Sequence, residues 1–514
     1  MRDPNSKIKK LAEVLPIVAK LKSAGKKIVL GHGVFDLMHY GHIHYLKQAK
    51  QVGDILLVSM KTDRFIQKGP YSPAFNERIR AASLAALECV DYVIPCNEDG
   101  PYQIIKKLKP HLYVKGEDSM DQLKNPKSAL HIDQKLVKSV GGAFYFTKSL
   151  PIHSTELIRK YYNILPQNVV NFLSVFKKSY PLEDVLSQLQ QLKKLKVLVI
   201  GEAIIDEYRY VTPLGKPPKA NIISAHFLDE EAFAGGALAC ANHIASICDN
   251  VDLVTYLGEK DSKEKFIRRQ LRPSINPKFF YCPDRPTIVK RRYVDRAYYS
   301  KIFEEYVFNK DHLPSNVTDK IKTYLTKNLS KYDLVLVADY GHGFLSKSLI
   351  DAISKNSRYL AVNAQTNSGN SGFNYVLKYP RIDYACIDEN EARLAAHDNV
   401  SNIKDVMLQL VKNSGIKKMA VTLGHLGSVS YGGGKKYNKN SLPTIPSFAH
   451  KITDTVGAGD AYLAISAPCA AAGFPIELLS FLGNVASAIA VGVVGHKTYI
   501  SQQDLVKHLS YLLE

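Results

Sequence analysis

The sequence predicts an α/β protein built from two doubly wound parallel-sheet domains. Short apolar runs alternate with segments of helical spacing in two separate series along the chain, an order that is typical of βαβ units. Most of these runs are apolar throughout, as expected where helices cover both faces of a sheet. The length of 514 residues fits more than one domain at roughly 100–200 residues each.

The first series occupies the N-terminal third of the chain. Its apolar runs predict strands at Lys27–Gly31, Asp54–Met60, Asp91–Pro95, His111–Lys115 and Ala143–Thr147. The spacing between the strands predicts helices over His42–Val52, Glu77–Glu88 and Tyr102–Leu108, with another helix starting near Ser154. Strands that alternate with helices in this way predict a parallel sheet.

The second series begins after a stretch without strand signal, Tyr162–Tyr180. Its predicted strands are Lys196–Gly201, Val251–Leu257, Leu334–Asp339, Tyr359–Val362, Tyr384–Ile387 and Lys418–Leu423. Thr287–Tyr293 interrupts the alternation and is interpreted as part of an antiparallel hairpin or lid. We therefore expect a first domain over residues 1–165, a helical connector over residues 166–190 and a second domain over residues 191–514.

The composition excludes several classes of protein. With 46% hydrophobic and 23% charged residues, the chain is too apolar to be disordered. No apolar run reaches the length of a spanning helix, and no secretory signal is visible, so we expect no membrane insertion. The seven cysteines are scattered, which disfavours a disulfide scaffold or a zinc domain and favours the cytoplasm.

A formal net charge of +20 requires an anionic partner or a basic surface. The positive charge is denser over the first 165 residues, but it forms no Lys/Arg block and no aromatic-interleaved motif. That distribution disfavours nucleic acid as a partner. A solvated basic surface and the binding of phosphorylated small molecules remain as the two interpretations.

A histidine pair follows the first predicted strand. The segment GHGVFDLMHYGHIHYL ends a strand in glycines and then opens a helix with His39, Gly41 and His42. Helix starts at the carboxyl ends of parallel strands favour phosphate through free N–H groups and the helix dipole. Gly41 lets the backbone approach closely, and the two imidazoles can contact one polyphosphate. A lone histidine is more often structural, but here the glycines, the spacing of the histidines and the strand–turn–helix order occur together.

The segment GVFDLMHYGH, with Gly33, Phe35 and Asp36, resembles the G-x-F-D-x-x-H-x-G-H signature of nucleotidyltransferases related to cytidylyltransferases. That family joins a nucleoside triphosphate to a phosphorylated alcohol and releases pyrophosphate. The resemblance implies that His39 and His42 stabilise charge on the triphosphate. Further matching positions are Lys68 and Arg78, implied to balance charge; Ser154 and Thr155, implied to hold phosphate oxygens; and Lys115 and Asp118, implied substrate residues.

A second motif, ITDTVGAGDA, lies near the C-terminus. Gly457, Ala458 and Gly459 would offer N–H groups to a developing negative charge, and Asp460 follows at the start of an apolar helix. The motif resembles the catalytic segment of ribokinase-like sugar kinases, whose final aspartate deprotonates the hydroxyl that attacks the γ-phosphate of ATP. The structural alternative for Asp460 is a helix N-cap, and both roles are compatible.

Other segments of the second half resemble the same family. They are an opening strand with Asp206, a Gly-Gly substrate motif at Gly235 and Gly236, and a nucleotide-binding VTLGHLG segment with Thr422, Gly424 and Gly427. The segments PTIVKRRYVDR and ADYGHGFLS are most similar to heptose kinases fused to an adenylyltransferase. The resemblance implies a ribokinase-like fold that follows a Rossmann-like nucleotidyltransferase domain.

The chain departs from that fused family in four places. The transferase precedes the kinase. The N-x-x-E magnesium motif reads DENE, which places Asp388 where the family has asparagine and keeps Glu391. Ala239 stands where asparagine is usual, and NAQTN at 363–367 replaces a segment that carries a lysine near the phosphates. These departures leave the sugar undetermined.

The sequence thus predicts a bifunctional enzyme of nucleotide-sugar synthesis. We expect magnesium at Glu391 and Asp388, ATP for the kinase, and ATP or CTP for the transferase. The partners expected are sugar phosphates and nucleoside triphosphates, with self-association and without nucleic acid. One alternative is a polyol-phosphate or amino-sugar cytidylyltransferase with a regulatory kinase-like half. The other is a basic nucleic-acid-binding protein on inherited enzyme folds.

Overall fold

A computed structural model describes residues 3–66, 73–124, 128–148, 165–434 and 438–513. The side chains at positions 118, 121, 122 and 124 are outside this description. The chain divides into a first unit, Met1–Ile164, and a second unit, Leu165–Glu514. In the parts of the chain that the structure describes, no helix has the length and apolar character needed to cross a membrane.

The first unit contains one parallel five-stranded sheet. Its strands are β1 (Ile28–Gly33), β2 (Ile55–Lys61), β3 (Tyr92–Cys96), β4 (Leu112–Gly116) and β5 (Ala143–Thr147). The strand order is β3-β2-β1-β4-β5. The helices described here are α1 (Leu11–Ser23), α2 (Tyr40–Gln51), α3 (Glu77–Ala85), α4 (Tyr102–Leu108) and α5 (Ala129–Ser139). The predicted strands and the parallel sheet are confirmed.

Side chains of β1 alternate between two hydrophobic cores, because successive residues of a strand point to opposite faces. Val29 packs in the core that includes residues of α2 and α3. Ile28 and Leu30 pack in the core that includes residues of α1, α4 and α5. The sheet is therefore covered on both faces, which confirms the doubly wound class. Its strand order reverses between β1 and β4, where ligands bind in such folds.

The second unit contains a nine-stranded sheet that is mostly parallel. Its strands are β6 (Lys196–Gly201), β9 (Asn250–Gly258), β10 (Ile275–Cys282), β13 (Leu334–Asp339), β14 (Leu360–Ala364), β15 (Ile382–Asp388), β16 (Ile416–Thr422), β17 (Ser428–Tyr431) and β18 (Thr444–Ile445). The order is β10-β9-β6-β13-β14-β15-β16-β17-β18, and β17 and β18 are antiparallel to their neighbours. The direction of winding changes between β6 and β13.

A separate four-stranded sheet, here called the lid, is built from β7 (Ala203–Gly215), β8 (Ser224–Gly236), β11 (Ile288–Asp295) and β12 (Lys301–Val307). Its order is β12-β11-β7-β8. The antiparallel pairing of β11 with β12 confirms the interpretation of Thr287–Tyr293. The long β7–β8 hairpin was not predicted as such, although its two ends carry the motifs of Asp206 and Gly235.

Helices surround the large sheet. They are α6 (Gln167–Ser179), α7 (Leu182–Gln191), α8 (Ala237–Ile244), α9 (Glu264–Gln270), α10 (Ser315–Asn328), α11 (Lys347–Asn356), α12 (Glu389–Ala396), α13 (Ile403–Lys412), α14 (Ala458–Ala471), α15 (Ile476–Ala490) and α16 (Gln502–Leu513). The helices between the two predicted series, α6 and α7, pack in the hydrophobic core of the second unit. Phe176 of α6 stacks on Phe481 of α15, with 4.3 Å between ring centroids.

Candidate active sites

The histidine pair of the first unit lies at the start of α2, directly after β1. His39 is the N-cap of this helix, and its Nδ1 accepts a hydrogen bond from the Gly41 backbone N–H at 3.1 Å. Because Nδ1 accepts, the Nε2 atom of a neutral His39 carries the proton and is a donor. The rings of His39 and His42 lie 4.0 Å apart between centroids. The structure therefore brings both histidines to one helix start, as the motif predicts.

Asp36 holds the loop between β1 and α2. Its buried carboxylate accepts hydrogen bonds from the backbone N–H groups of Leu37, Ala74 and Phe75. Phe35 is also buried and contacts the ring of His42 edge-on, with 5.6 Å between centroids. These contacts give both residues a role in positioning the histidines. A direct nucleotide contact of either residue stays a prediction.

Arg80 is a site residue that the sequence reasoning missed. Its side chain is fully buried, bonds to the carbonyls of Val34 and Phe75, and pairs with Asp63 at 2.6 Å. Arg78, which the motif predicts to bind nucleotide, is exposed in the first turn of α3. The two arginines are two positions apart, so they face different sides of the helix. Arg80 ties the loop after β1 to the start of α3.

Lys115 stands at the point where the strand order reverses. From the end of β4 its Nζ donates to the carbonyl of His32 on β1 at 2.9 Å, and His32 Nδ1 lies 2.9 Å from Ser59 Oγ. Burial, and then the nearby charges of Lys115 and Lys61, hold the pKa of His32 well below its ordinary value. The predicted residues Lys68, Ser154 and Thr155, and the side chain of Asp118, lie outside the described residues.

The second site is a cavity of about 620 Å³ in the second unit. It lies at the carboxyl edge of the nine-stranded sheet, and residues of the lid line one side. Most of the residues predicted from the kinase motifs line it: Asp206, Gly236, Asp388, Glu391, Thr422, Gly424, Gly427, Gly457, Ala458, Gly459 and Asp460. The fold thus collects motifs that are separated by more than two hundred residues in the sequence.

Asp460 lies in the first turn of α14, whose N-cap is Gly457. The alternative that Asp460 itself caps the helix is therefore wrong. Its Oδ1 accepts a hydrogen bond from the Tyr340 hydroxyl at 2.6 Å, and its Oδ2 lies 3.6 Å from His496 Nε2. Burial raises the pKa of Asp460, while His496 and the Tyr340 hydrogen bond act in the opposite direction. The helix start also presents N–H groups that lack intrahelical acceptors.

Two glycines leave space for side chains of the site, Gly457 for His496 and Gly235 for Asp206. Gly457 has φ of +84°, and a Cβ there would lie 2.4 Å from the His496 ring. A Cβ on Gly235 would lie 1.9 Å from Asp206 Oδ2. Gly235 does not line the cavity itself, but its missing side chain makes room for the carboxylate that does. Gly235 thus acts through Asp206, whereas Gly236 lines the cavity itself.

Asp206 is held by a buried cation from the lid. Arg292 of β11 donates to Asp206 Oδ1, and its Nε pairs with Glu304 at 2.7 Å. Lys290, on the same strand, is buried over the rings of Tyr306 and Tyr340, 5.1 and 5.7 Å from their centroids. Burial lowers the pKa of Lys290. Both cations line the cavity, so the site pairs acidic groups with fixed positive charge.

Comparison with known proteins decides the family of this unit. Residues 194–503 match the family described as pfkB family carbohydrate kinase, which is more than half of the chain. The chain belongs to the pfkB family of carbohydrate kinases. Residues 30–160 match the family described as cytidylyltransferase-like, in the region that contains the histidine pair. The second unit is hereafter the pfkB unit.

Curated relatives are similar to part of the chain. The bifunctional protein HldE of Aliarcobacter butzleri is 45% identical over 116 residues, which is 22% of this chain and 24% of the relative. HldE of Citrifermentans bemidjiense is 44% identical over 119 residues, 23% of this chain and 24% of the relative. The matches therefore span about a quarter of the length of these relatives.

A solved structure is similar to the pfkB unit in fold. Phosphofructokinase-2 from Escherichia coli, in complex with substrates and products, superposes with a TM-score of 0.50 at 14% identity. The superposition covers 62% of this chain and 99% of that one. It supports the ribokinase-like architecture of the pfkB unit.

The DENE segment at residues 388–391 forms a capping box at the start of α12. Asp388 is the N-cap and accepts from the Glu391 N–H at 2.7 Å, while Glu391 accepts from the Asp388 N–H at 2.8 Å. The second oxygen of Glu391 accepts from Thr366 N–H at 3.0 Å. Burial, and then the charge of Asp388, raises the pKa of Glu391 to about 8; burial also raises the pKa of Asp388. Asp388 therefore has the structural role of capping α12.

The segment that replaces the lysine-bearing motif is a loop organised by asparagines. Asn367 accepts from the Gly369 N–H at 3.0 Å and donates to the Tyr340 carbonyl at 2.8 Å. Asn374 donates to the Asp339 carbonyl at 2.9 Å. Among the described residues, Lys290 is a lysine that lines the same cavity as Asp460. It comes from the lid strand β11.

His496 of the pfkB unit was also missed by the sequence reasoning. It is buried between the two acidic groups, with Nε2 3.7 Å from Asp206 Oδ2 and 3.6 Å from Asp460 Oδ2. No motif spacing marks it, because it follows α15 in an irregular segment near the C-terminus. Only the fold brings it to the site.

Proposed function

We propose that the chain is a bifunctional enzyme of nucleotide-sugar synthesis. In this proposal the pfkB unit transfers phosphate from ATP to a sugar or sugar phosphate of the heptose type. The first unit then joins a nucleotidyl group to a sugar phosphate and releases pyrophosphate. The observation that carries the proposal is the buried Asp460, held by Tyr340 at a helix start and facing the same cavity as Asp206. The similarity to HldE proteins supports the pairing of the two activities.

For the kinase, Asp460 is the proposed base. A sugar hydroxyl gives its proton to the carboxylate and attacks the γ-phosphorus of ATP, and the bond to the β,γ-bridging oxygen breaks to release ADP. The N–H groups of Gly459 and Asp460 at the start of α14 stabilise the negative charge that develops. Asp206, fixed by Arg292, accepts hydrogen bonds from other hydroxyls and orients the sugar.

For the transferase, the phosphate of the sugar attacks the α-phosphorus of a nucleoside triphosphate, which is ATP or CTP, and pyrophosphate leaves. His39 and His42 donate hydrogen bonds to the triphosphate oxygens as charge develops. Lys68 and Arg78 are proposed to balance that charge, Ser154 and Thr155 to hold phosphate oxygens, and Lys115 and Asp118 to bind substrate. The placement of Lys115 at the strand-order reversal supports its part of this proposal.

Magnesium is the proposed metal of the kinase reaction. In the described residues no group of three or more His, Cys, Asp and Glu side chains is placed to hold a metal. Two carboxylates, Glu391 and Asp388, do line the cavity. They fit magnesium, because this ion keeps several waters and is bound through one or two carboxylates and the substrate's phosphates. The ion would supply positive charge that offsets the triphosphate.

Magnesium dependence separates the capping role of Asp388 from a metal role. Asn is as good an N-cap as Asp, so Asp388→Asn should keep α12 and an active kinase. Loss of the charge should raise the magnesium concentration that half-activates phosphorylation. Glu391→Gln should damage the kinase more severely and leave pyrophosphate release unaffected. Magnesium titrations of both variants, with their unfolding temperatures, test this; unchanged dependence in both removes the segment from the metal site.

The substrates are tested by a screen. Purified chain is incubated with ATP, CTP, GTP or UTP and with heptose or hexose phosphates, and pyrophosphate release is measured. ADP release from ATP with the same sugars reports the kinase. We expect both signals, each with a heptose-type substrate. Pyrophosphate without any sugar-dependent ADP would instead favour a cytidylyltransferase with a regulatory pfkB unit, an alternative that the altered NAQTN and DENE segments support.

We also infer a cytoplasmic enzyme that self-associates. Both proposed reactions consume nucleoside triphosphates, and all seven cysteines are free thiols. The β7–β8 hairpin of the lid exposes a group of large apolar side chains: Leu214, Ile222, Ile223, Phe227 and Leu228. An exposed apolar group on an otherwise polar surface supports contact with a second copy of the chain. Nucleic acid is not among the proposed partners.

A further inference from the structure

The pfkB unit contains a second cavity, of about 530 Å³, that no motif predicts. It is here called the arginine cavity. The polar and charged residues used below are Asn242, His243, Arg269, Arg272, His496 and Lys497. No carboxylate is among the described residues that line it. Lys497 pairs with Glu231, which lies outside the lining, so the positive charge available to a ligand is that of the two arginines. A concave site with cations that are not paired to carboxylates is suited to an anion.

The charges of the two arginines in this cavity are available to a ligand. Arg269 lies in the last turn of α9, and Arg272 follows it by three residues. Within the described parts of the chain neither guanidinium forms an ion pair with a carboxylate, whereas Arg268, their neighbour on α9, pairs with Glu264 at 2.7 Å. Arg272 instead lies over the ring of Tyr499, 4.7 Å from its centroid. This stacking fixes the plane of the guanidinium.

Asn242 holds the turn that carries these arginines. Its buried side chain donates to the Gln270 carbonyl at 3.1 Å and accepts from the Arg272 N–H at 2.9 Å. Both ends of the amide are therefore engaged with the backbone on either side of Leu271. The backbone that carries the arginines is thus held in place before a ligand arrives, which lowers the entropy lost on binding.

His243 supplies a neutral donor from the floor of the cavity. It is 3% exposed, and its Nδ1 accepts from the Ile500 N–H at 3.1 Å. Burial, and then the nearby His496, lowers the pKa of His243 to about 3, so the ring is neutral and Nε2 carries the proton. This Nε2–H has no hydrogen-bond partner among the described residues. The Nε2 atom is accessible from the cavity that His243 lines, so a ligand oxygen can accept from it in place of water.

We propose that the arginine cavity binds the phosphate group of a small molecule. A phosphate dianion offers several acceptor oxygens, which match two guanidinium groups and one imidazole N–H arranged around one space. The volume is that of a small-molecule site. Two sources of the phosphate fit this chemistry. One is free phosphate or a phosphorylated effector, and the other is the distal phosphate of a sugar that lies in the neighbouring cavity. His496 lines both cavities, so it would lie beside a phosphate from either source.

Binding of inorganic phosphate to the full chain tests the site without any turnover. Isothermal titration of the wild type should show a binding step that Arg269→Gln and Arg272→Gln each weaken by roughly 10-fold or more, the scale of one charge-assisted hydrogen bond. The matched control is Arg268→Gln, on the same helix but outside the lining, which should bind as the wild type does. Neither cavity arginine is buried, so both variants should keep the wild-type unfolding temperature.

Wild-type affinity in both cavity variants overturns the proposal, and so does the absence of phosphate binding by the wild type at millimolar concentration. The source is then separated by kinetics, an arm that rests on the proposed kinase activity. If a sugar phosphate fills the cavity, inorganic phosphate raises its KM, and Arg272→Gln raises KM for the phosphorylated sugar alone. If a free effector fills it, inorganic phosphate changes kcat and leaves KM unchanged. Either kinetic result supports the site.

Discussion

Replacing Asp460 by asparagine is expected to lower ATP-dependent phosphorylation by roughly 100- to 10,000-fold, the contribution of a positioned general base. The amide keeps the shape of the side chain, and its oxygen still accepts the hydrogen bond from Tyr340. It cannot take the proton of the sugar hydroxyl. Because Gly457 rather than Asp460 caps α14, the helix start and its N–H groups are retained.

The measurement is steady-state ADP release, together with the affinity for ATP and the unfolding temperature. ATP affinity should change little, since the nucleotide does not depend on the proton acceptor. Pyrophosphate release by the first unit is the internal control and should stay at the wild-type rate. Full phosphorylation by a folded Asp460→Asn chain would show that this carboxylate is not the base.

The second large effect is expected at the histidine pair. His42→Ala should lower nucleotidyl transfer by at least about 100-fold, the scale for losing one preorganised donor to a developing charge. The ring of His42 packs beside that of His39 at the start of α2, so its loss removes one of two adjacent donors. Phosphorylation by the pfkB unit should be nearly unchanged, because the two sites lie in separate units.

His44→Ala is the matched control for this variant. His44 lies two residues further along the same helix and contacts the Tyr40 ring, with 5.9 Å between centroids. It should transfer nucleotide at close to the wild-type rate, measured as pyrophosphate release. An equal loss of both activities in folded His42→Ala would contradict the two-site arrangement, and an equal loss of transfer in both variants would show a general effect on α2.

The five strands of the first sheet and six of the nine strands of the second were predicted, because parallel strands covered by helices have a strong apolar signal. The run at Leu334–Asp339, for instance, is buried throughout. The edge strand β10, which is only partly buried, and the short antiparallel strands β17 and β18 were not predicted. The lid was harder to predict, because β8 is largely exposed from its start and has no apolar periodicity over that part. The β7–β8 hairpin is stabilised by pairing with β11, which is distant in the sequence.

Some site residues could be predicted from the sequence and others could not. Residues inside a contiguous motif, such as Asp460 and His39, were predicted as site residues because the motif includes its own helix start. Arg80 and His496 were not predicted. What distinguishes Arg80 from the exposed Arg78 is its burial, which the sequence does not show, and only tertiary packing brings His496 to Asp206. The substitution at Asp388 could be located but not interpreted from sequence, because its hydrogen bond to the Glu391 N–H is visible only in the structure.

The hydrogen bond from Tyr340 makes the two oxygens of Asp460 unequal. Oδ1 already accepts from the tyrosine hydroxyl, so we expect Oδ2 to be the oxygen that receives the sugar proton in the proposed reaction. A sugar oriented by Asp206 can bring only one of its hydroxyl groups to that single oxygen and in line with ATP. The regiochemistry of phosphorylation is then set by the tyrosine as much as by the sugar pocket. The product should be one positional isomer, even from a polyol whose hydroxyl groups have the same intrinsic reactivity.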